Sequence, residues 1–235
     1  MNEARIAELL APYIGASDAS RLTPATLKDI STYIDLLQRW NQRINLTAIR
    51  NEEEIVTRHF GESLFAARVL FPSHVETGAS PVPPKRSEAA TVQVADVGSG
   101  AGFPGIPIKL WEPSLSLTLI ESNHKKATFL REVTRALTLM NVNILNARAE
   151  SLGESRFDVV TLRAVERFEA ILPVAASLVA PGGRLALLIG EGQLKQAKSI
   201  LPPQSCSTPH QIPGSSARVV AIATAQAKNQ VEPRQ

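Results

Sequence analysis

Apolar residues recur every three or four positions through the first seventy residues and follow a different rhythm beyond about residue 90. Ile6, Leu9, Leu10, Tyr13 and Ile14 lie at helical spacing. Thr23-Pro24 then supplies a capping hydroxyl followed by proline at the first helical position, where a missing N–H costs least. From there Leu27, Ile30, Ile34, Leu37, Trp40 or Asn41, and Ile44 continue one stripe, which predicts the longest helix of the chain. Asn51 marks a third start, with Glu52, Glu53 and Glu54 in the first turn and Glu54 three residues after the cap. Helix capping, rather than acid/base chemistry, accounts for that triplet.

After Phe71-Pro72 the period disappears. "ETGASPVPPKRSEAA" is rich in proline, serine and small residues and predicts a linker over 76–90, separating a helical region at 1–75 from a core at 91–225. In that core strand-like runs ("TVQVADV", "LSLTLIES", the weaker "NVNILNA", "FDVVTLRA" and "RLALLIG") alternate with helical ones such as "HKKATFLREVTRAL". Pro181-Gly182-Gly183 reads as a turn before "RLALLIG". "ARVVAIATA" from Ala217 reads as a last strand and 226–235 as a frayed tail. The alternation predicts an α/β fold, a mostly parallel sheet covered by helices on both faces.

Composition narrows the class without naming a chemistry. With 235 residues, 44% hydrophobic and 20% charged, the chain fits a soluble globular protein of one α/β domain with an appendage. No apolar run reaches the roughly 20 residues of a membrane helix, and the N-terminus lacks a secretory pattern, so a cytoplasmic location is expected. A single cysteine, Cys206, rules out an internal disulfide and a cysteine-based metal cluster. His59, His74, His124 and His210 show no ligand spacing, so no metal is expected. The net charge of +3 favours a polyanionic partner without requiring one.

"VADVGSGAGFPGIP", Val94 to Pro107, carries four glycines and two prolines directly after a strand. In open α/β sheets such a turn lies at the carboxyl ends of the strands, where ligands bind. Gly100 to Gly105 satisfies the G-x-G-x-x-G of dinucleotide-binding proteins, a weak pattern when alone. Counted from Asp96, the run is instead D-x-G-x-G-x-G, with Gly98, Gly100 and Gly102. An acid at its head would repel a pyrophosphate and suits a ligand with an ammonium, such as S-adenosylmethionine. Glu121, at the end of the second strand, is placed to accept ribose hydroxyls under either reading. Ala149-Glu150 follows the third strand, at the rim where an adenine would lie.

Five segments in order, "VADVGSGAGFPGIPIKL", "LTLIESNHKKATFLREV", "ARAE", "FDVVTLRAV" and "LVAPGGRLALLIG", resemble the bacterial small-subunit ribosomal RNA guanine-N7 methyltransferases, the RsmG or GidB family. "LLQRWNQRINLTAI" and "IVTRHFGESL" resemble its N-terminal region, so the likeness covers most of 33–190. It implies a class I S-adenosylmethionine-dependent methyltransferase fold, Rossmann-like with an antiparallel last strand and an N-terminal helical extension. Carried over by position, Gly98, Phe103, Ala149, Glu150 and Arg163 would line the cofactor site, with Glu121 on the ribose. The implied target is a guanine near position 527 of 16S ribosomal RNA. The proline-rich linker and the stretch after Leu201 depart from the family pattern.

Methyl transfer to guanine N7 needs orientation and a tolerant electrostatic environment, but no general base. The absences agree with this. Thr161-Leu162-Arg163-Ala164 stands where an amine methyltransferase would show N/D-P-P-Y/F/W, and Cys206 lies far from any nucleophile's position. RNA contacts are expected from Lys125, Lys126, Arg131 and Arg167, with Lys109 and Arg163 near them and Arg39 and Arg43 on the long helix. His124 reads as a surface helix residue. A monomer acting on 16S RNA or the small ribosomal subunit is expected. The competing readings are a non-catalytic RNA-binding or ribosome-assembly protein and, less well supported by Asp96, a nicotinamide-dependent oxidoreductase.

Overall fold

The computed structural model describes residues 1–72, 91–153, 156–165, 167–202 and 206–225. The expected linker and tail, 76–90 and 226–235, lie outside them.

Each N-terminal helix begins where a capping side chain stands. In α1 (Glu3–Ile14) the Asn2 side chain accepts from the N–H groups of Ala4 and Arg5. In α2 (Pro24–Asn41) Thr23 Oγ1 accepts from Thr26 N. In α3 (Glu52–Glu54) Asn51 Oδ1 accepts from Glu54 N at 3.0 Å. The third helix then departs from expectation: it widens into a π-helical segment, Ile55–Gly61, before resuming as α4 (Glu62–Leu70). The stripe on α2 stops short of Ile44 as well. Asn41 uses its side chain to accept from Leu46 N and Thr47 N and to donate to Thr47 O, which turns the chain out of the helix.

The core follows as β1 (Gln93–Val97), α5 (Gly105–Trp111), β2 (Ser116–Ile120), α6 (His124–Ala136), β3 (Val142–Leu145), β4 (Phe157–Arg163), α7 (Phe168–Ser177), β5 (Val179–Gly190), α8 (Glu191–Ile200), β6 (His210–Gln211) and β7 (Arg218–Thr224). The sheet order is β3-β2-β1-β4-β5-β7-β6. The first five strands run parallel, β7 is antiparallel to β5, and β6 is antiparallel to β7. Strand order reverses between β1 and β4, which places the crevice for a ligand beyond their carboxyl ends. Pro181-Gly182-Gly183 is not a turn before a strand but lies inside β5. Gly182 N donates to Ala225 O there, while the register to β4 shifts.

Alternation along β1 divides the interior. Val94 faces an apolar cluster shared with the N-terminal helices, α5 and α6, while Ala95 and Val97 face one built with α7 and α8. The N-terminal helices therefore close one face of the sheet. Tyr33, Ile34 and Leu37 of α2 and Phe60 of the π-helical segment are buried in the same cluster as Leu117 and Leu119.

Candidate active site

The turn after β1 is held from beneath by the next strand. Gly98 N and Ser99 N both donate to Ile120 O, at 2.9 and 3.1 Å, and Gly102 N closes the bend on Ser99 O. Gly98, Gly100 and Gly102 all have positive φ. Two of them differ in what surrounds them. A Cβ on Gly102 would collide with Tyr33 and Ile106, so that glycine serves packing, whereas a Cβ on Gly100 would meet only the Gly98 carbonyl, at 3.7 Å. Gly98 is exposed as well. The open backbone of the turn is thus at Gly100 and the exposed Gly98, whose free side Val165 approaches, at the topological switch point.

Asp96 and Glu121 flank this turn but sit in different environments. Asp96 is 1% exposed, with Oδ1 accepting from Thr161 Oγ1 at 2.7 Å and Oδ2 from Gly105 N at 3.3 Å. Burial raises its pKa to about 6 against the pull of those hydrogen bonds. The expectation of a carboxylate facing a ligand's ammonium needs correcting here: Asp96 stands behind the turn and ties β1 and β4 to the start of α5. Glu121 lies in front. Its Oε2 accepts from Gly100 N at 2.9 Å and its Oε1 from Asn123 N at 2.7 Å, which leaves a lone-pair site on each oxygen. Asn146 Nδ2 donates to Glu121 O and Ser122 O, drawing the end of β3 to the same rim. Ala149, buried, and Glu150, exposed, follow there in a short 3-10 turn.

Phe103, an expected cofactor contact, has its ring among the N-terminal helices. It is 7% exposed and packed face to face between Tyr33, 5.2 Å away, and His59, 4.6 Å away, with Phe60 edge-on. Its ring fastens the turn to the N-terminal helices. Tyr33 adds a hydrogen bond from its hydroxyl to Ala101 O. Arg163 shares the sheet face of Asp96 and Thr161 but spends its guanidinium on the π-helical segment. It donates to the carbonyls of Arg58 and His59, to Ser63 Oγ and to Glu62. Glu62, 3% exposed, also accepts from Arg218 Nε at 2.8 Å, so one buried carboxylate joins β4, β7 and the N-terminal helices. The His59 carbonyl accepts from Ser63 Oγ and Glu62 N as well, so Arg163 joins a network already knotted at the π-helical segment.

His59 is a site residue that its scattered position in the sequence did not reveal. Its Nε2 lies 2.8 Å from Thr47 Oγ1, its ring stacks on Phe103, and its Nδ1 is buried without a partner among the described residues. Burial, helped by Arg163 and Arg58, lowers its pKa to about 3, so the imidazole is neutral. Only the "RHF" next to the acidic start of the third helix hinted that it belonged with Arg58 and Phe60.

The family model for GidB, rRNA small subunit methyltransferase G, matches residues 26–209. The chain belongs to the GidB family. Ribosomal RNA small subunit methyltransferase G of Xanthomonas axonopodis pv. citri (strain 306) is 37% identical over 77% of this chain and 79% of its own length. The same-named protein of Halorhodospira halophila (strain DSM 244 / SL1) is 41% identical over 72% of each. In fold, the chain matches magnesium protoporphyrin IX methyltransferase of Synechocystis PCC 6803, solved with bound SAM, at a TM-score of 0.59 and 14% identity, over 84% of this chain and 97% of that one. The fold is that of a class I methyltransferase with a helical N-terminus, and the GidB match extends past both ends of the stretch whose motifs resembled the family.

Around the GidB-family core, the expected RNA contacts fall into separate groups. Lys125 and Arg131 are exposed on α6 and Lys126 is half-buried. Arg39 and Arg43 are exposed at the end of α2, which α6 meets through a 3.0 Å bond from Trp40 Nε1 to Glu132. Arg167 is exposed on the other side of the crevice, ahead of α7. Lys109 is a correction: it is 3% exposed, and its Nζ donates to the carbonyls of Pro113 and Leu115, so it fastens the loop from α5 to β2 and cannot reach a nucleic acid. Among the described residues no helix is long and apolar enough to cross a membrane.

Proposed function

We propose that this chain transfers a methyl group from S-adenosylmethionine to N7 of a guanine, near position 527, in 16S ribosomal RNA. The observation that carries the reading is the pairing of the open glycine backbone at Gly98 and Gly100 with the Glu121 carboxylate at the switch point of a GidB-family sheet. The residues fit the cofactor. Glu121 keeps one acceptor site on each oxygen for ribose hydroxyls, and Ala149 and Glu150 offer the adenine rim.

When bound, S-adenosylmethionine supplies a methyl on a cationic sulfur, which a ring-nitrogen lone pair can displace without prior deprotonation. The chain's task is then to orient and to exclude water. Asp96 and Tyr33 hold the turn from two sides, and Phe103 and His59 form a stacked wall beside it. No side chain has to remove a proton. Lys125, Lys126, Arg131 and Arg167 flank the crevice to hold phosphates.

Calorimetry with S-adenosylmethionine and with NAD, followed by methylation of 16S RNA mapped by cleavage at N7-methylguanine, tests the reading. Binding of the methyl donor alone and a single mapped guanine are expected. A folded chain that binds NAD, or that leaves every guanine unmodified in naked RNA, an assembly intermediate and the mature small subunit, would refute it.

A further inference from the structure

A second opening lies away from the glycine turn, between the end of α2, the loop 42–51 and the start of the π-helical segment. It has a volume of about 260 Å³. That is under the roughly 300 Å³ at which pockets for drug-sized ligands begin, and it is room for one flat ring system. Ile49 supplies the accessible apolar surface over a floor of buried Leu37 and Ile55, Gln38, Gln42 and Arg50 supply donors and acceptors, and no acidic side chain lines it. The amides of Gln38 and Gln42 form no hydrogen bond among the described residues, and Arg50 spends only one contact, a 3.3 Å bond to Asn41 O. Unspent amides and a planar guanidinium beside Ile49 are what an unstacked base can use: an edge to pair with, and a flat group to stack on or a charge for its phosphate.

The cavity is built to keep its shape and is tied to the reaction centre. Asn41 pins the loop through three hydrogen bonds to Leu46 and Thr47. Thr47 in turn bonds His59, whose ring lies on Phe103 of the glycine turn. Leu37 and Asn41 stand four and eight residues along α2 from Tyr33, or about 6 and 12 Å at 1.5 Å per residue. A strand running alongside α2 past the turn that Tyr33 supports would cover that rise in about two to four nucleotides at 3.4 Å each. Arg39 and Arg43, exposed on the same helix end, provide charge along the way.

Resting on the function proposed above, we infer that this cavity is a subsite for one unpaired nucleobase of the RNA, a few nucleotides from the guanine that is methylated. It lets the enzyme recognise its loop by a splayed-out neighbour as well as by the target itself.

The test uses the full chain and an RNA stem-loop carrying the target guanine, with single abasic sites placed in turn at the four nucleotides on either side. One flanking abasic site is expected to weaken binding about tenfold. A Gln38→Ala/Gln42→Ala variant, and separately Arg50→Ala, should weaken binding of the intact stem-loop about as much, show no added loss on that abasic RNA, and keep the affinity for S-adenosylmethionine. The subsite is overturned if no flanking base matters, if the losses from variant and abasic site simply multiply, or if the variants lose the methyl donor as well. Failure of the unaltered chain to methylate either the intact stem-loop or full-length 16S RNA strikes instead at the function itself.

Discussion

Two buried groups hold protons in the reverse of their usual order, and this has a measurable signature. Near pH 5 the folded chain keeps a proton on Asp96, whose pKa is about 6, and none on His59, whose pKa is about 3. An unfolded chain, with ordinary values of 3.8 and 6.5, does the opposite and so binds one proton as well. Their contributions to the pH dependence of stability therefore cancel there. Single substitutions unmask each. In Asp96→Asn only the depressed histidine remains; its unfolded form binds the extra proton, so stability should fall as pH drops from about 6.5 towards 3. In His59→Gln only the raised carboxyl remains; its folded form binds the extra proton, so stability should fall as pH rises from about 4 to 6. Each slope should approach ~1.4 kcal/mol per pH unit relative to the unaltered chain, measured by urea unfolding. Curves displaced by a constant would show that the two pKa values are ordinary. Glu121→Gln probes the front of the turn. Losing charge-assisted bonds worth ~1.5–3 kcal/mol to ribose should weaken S-adenosylmethionine binding about 10- to 100-fold by calorimetry. A retained affinity would remove Glu121 from the site.

At the scale of elements, the helical N-terminus acts as part of the cofactor turn's support. Tyr33 of α2 bonds the Ala101 carbonyl and stacks on Phe103, and a Cβ on Gly102 would strike its hydroxyl, so helix and turn are fitted to each other. Tyr33→Phe keeps the ring and leaves a buried carbonyl unpaired, at a cost of ~1–3 kcal/mol. The turn should loosen as a result: the expected outcome is a several-fold weaker KM for the methyl donor with an unchanged KM for RNA, and equal changes in both would mean general loosening of the fold. This coupling was hard to see in the sequence. Starts at Thr23 and Asn51 were legible because caps and apolar stripes are local signals, and the parallel strands because both-face burial writes continuous apolar runs. The π-helical segment was not, since no capping or breaking residue marks it locally and the Arg163 that bonds its carbonyls lies a hundred residues away. Distance in the chain also hid the packing of Phe103: the resemblance implied a cofactor contact, and the partners that stack on its ring, Tyr33 and His59, lie far from it in the sequence. Lys109 reads as an exposed cation until its carbonyl partners show it to be buried.

Taken as a whole, the molecule concentrates its fixed charges in two ways, and only one of them is available to RNA. Arg163, Glu62 and Arg218 are consumed in joining β4, β7 and the N-terminal helices, where breaking the pair would leave an uncompensated buried charge and cost ~3–5 kcal/mol. Lys125 and Lys126 are different. Asn123 accepts from their backbone N–H groups to cap α6, but no salt bridge engages either ammonium among the described residues. Their charge is therefore free to neutralise phosphate, and it stands on the helix whose start is fastened to Glu121. Replacing both with alanine leaves the cap intact because the capping bonds come from the main chain. Two lost phosphate contacts should lower the slope of log binding against log salt by about 1.4 for a single-stranded segment, at ~0.7 per contact. Affinity for RNA should drop most at low salt, where released counterions contribute most. S-adenosylmethionine affinity and thermal stability should stay within error of the parent. If the salt slope is unchanged while cofactor binding falls, the two lysines serve the turn through α6 and the RNA path must run instead along Arg39, Arg43 and Arg50.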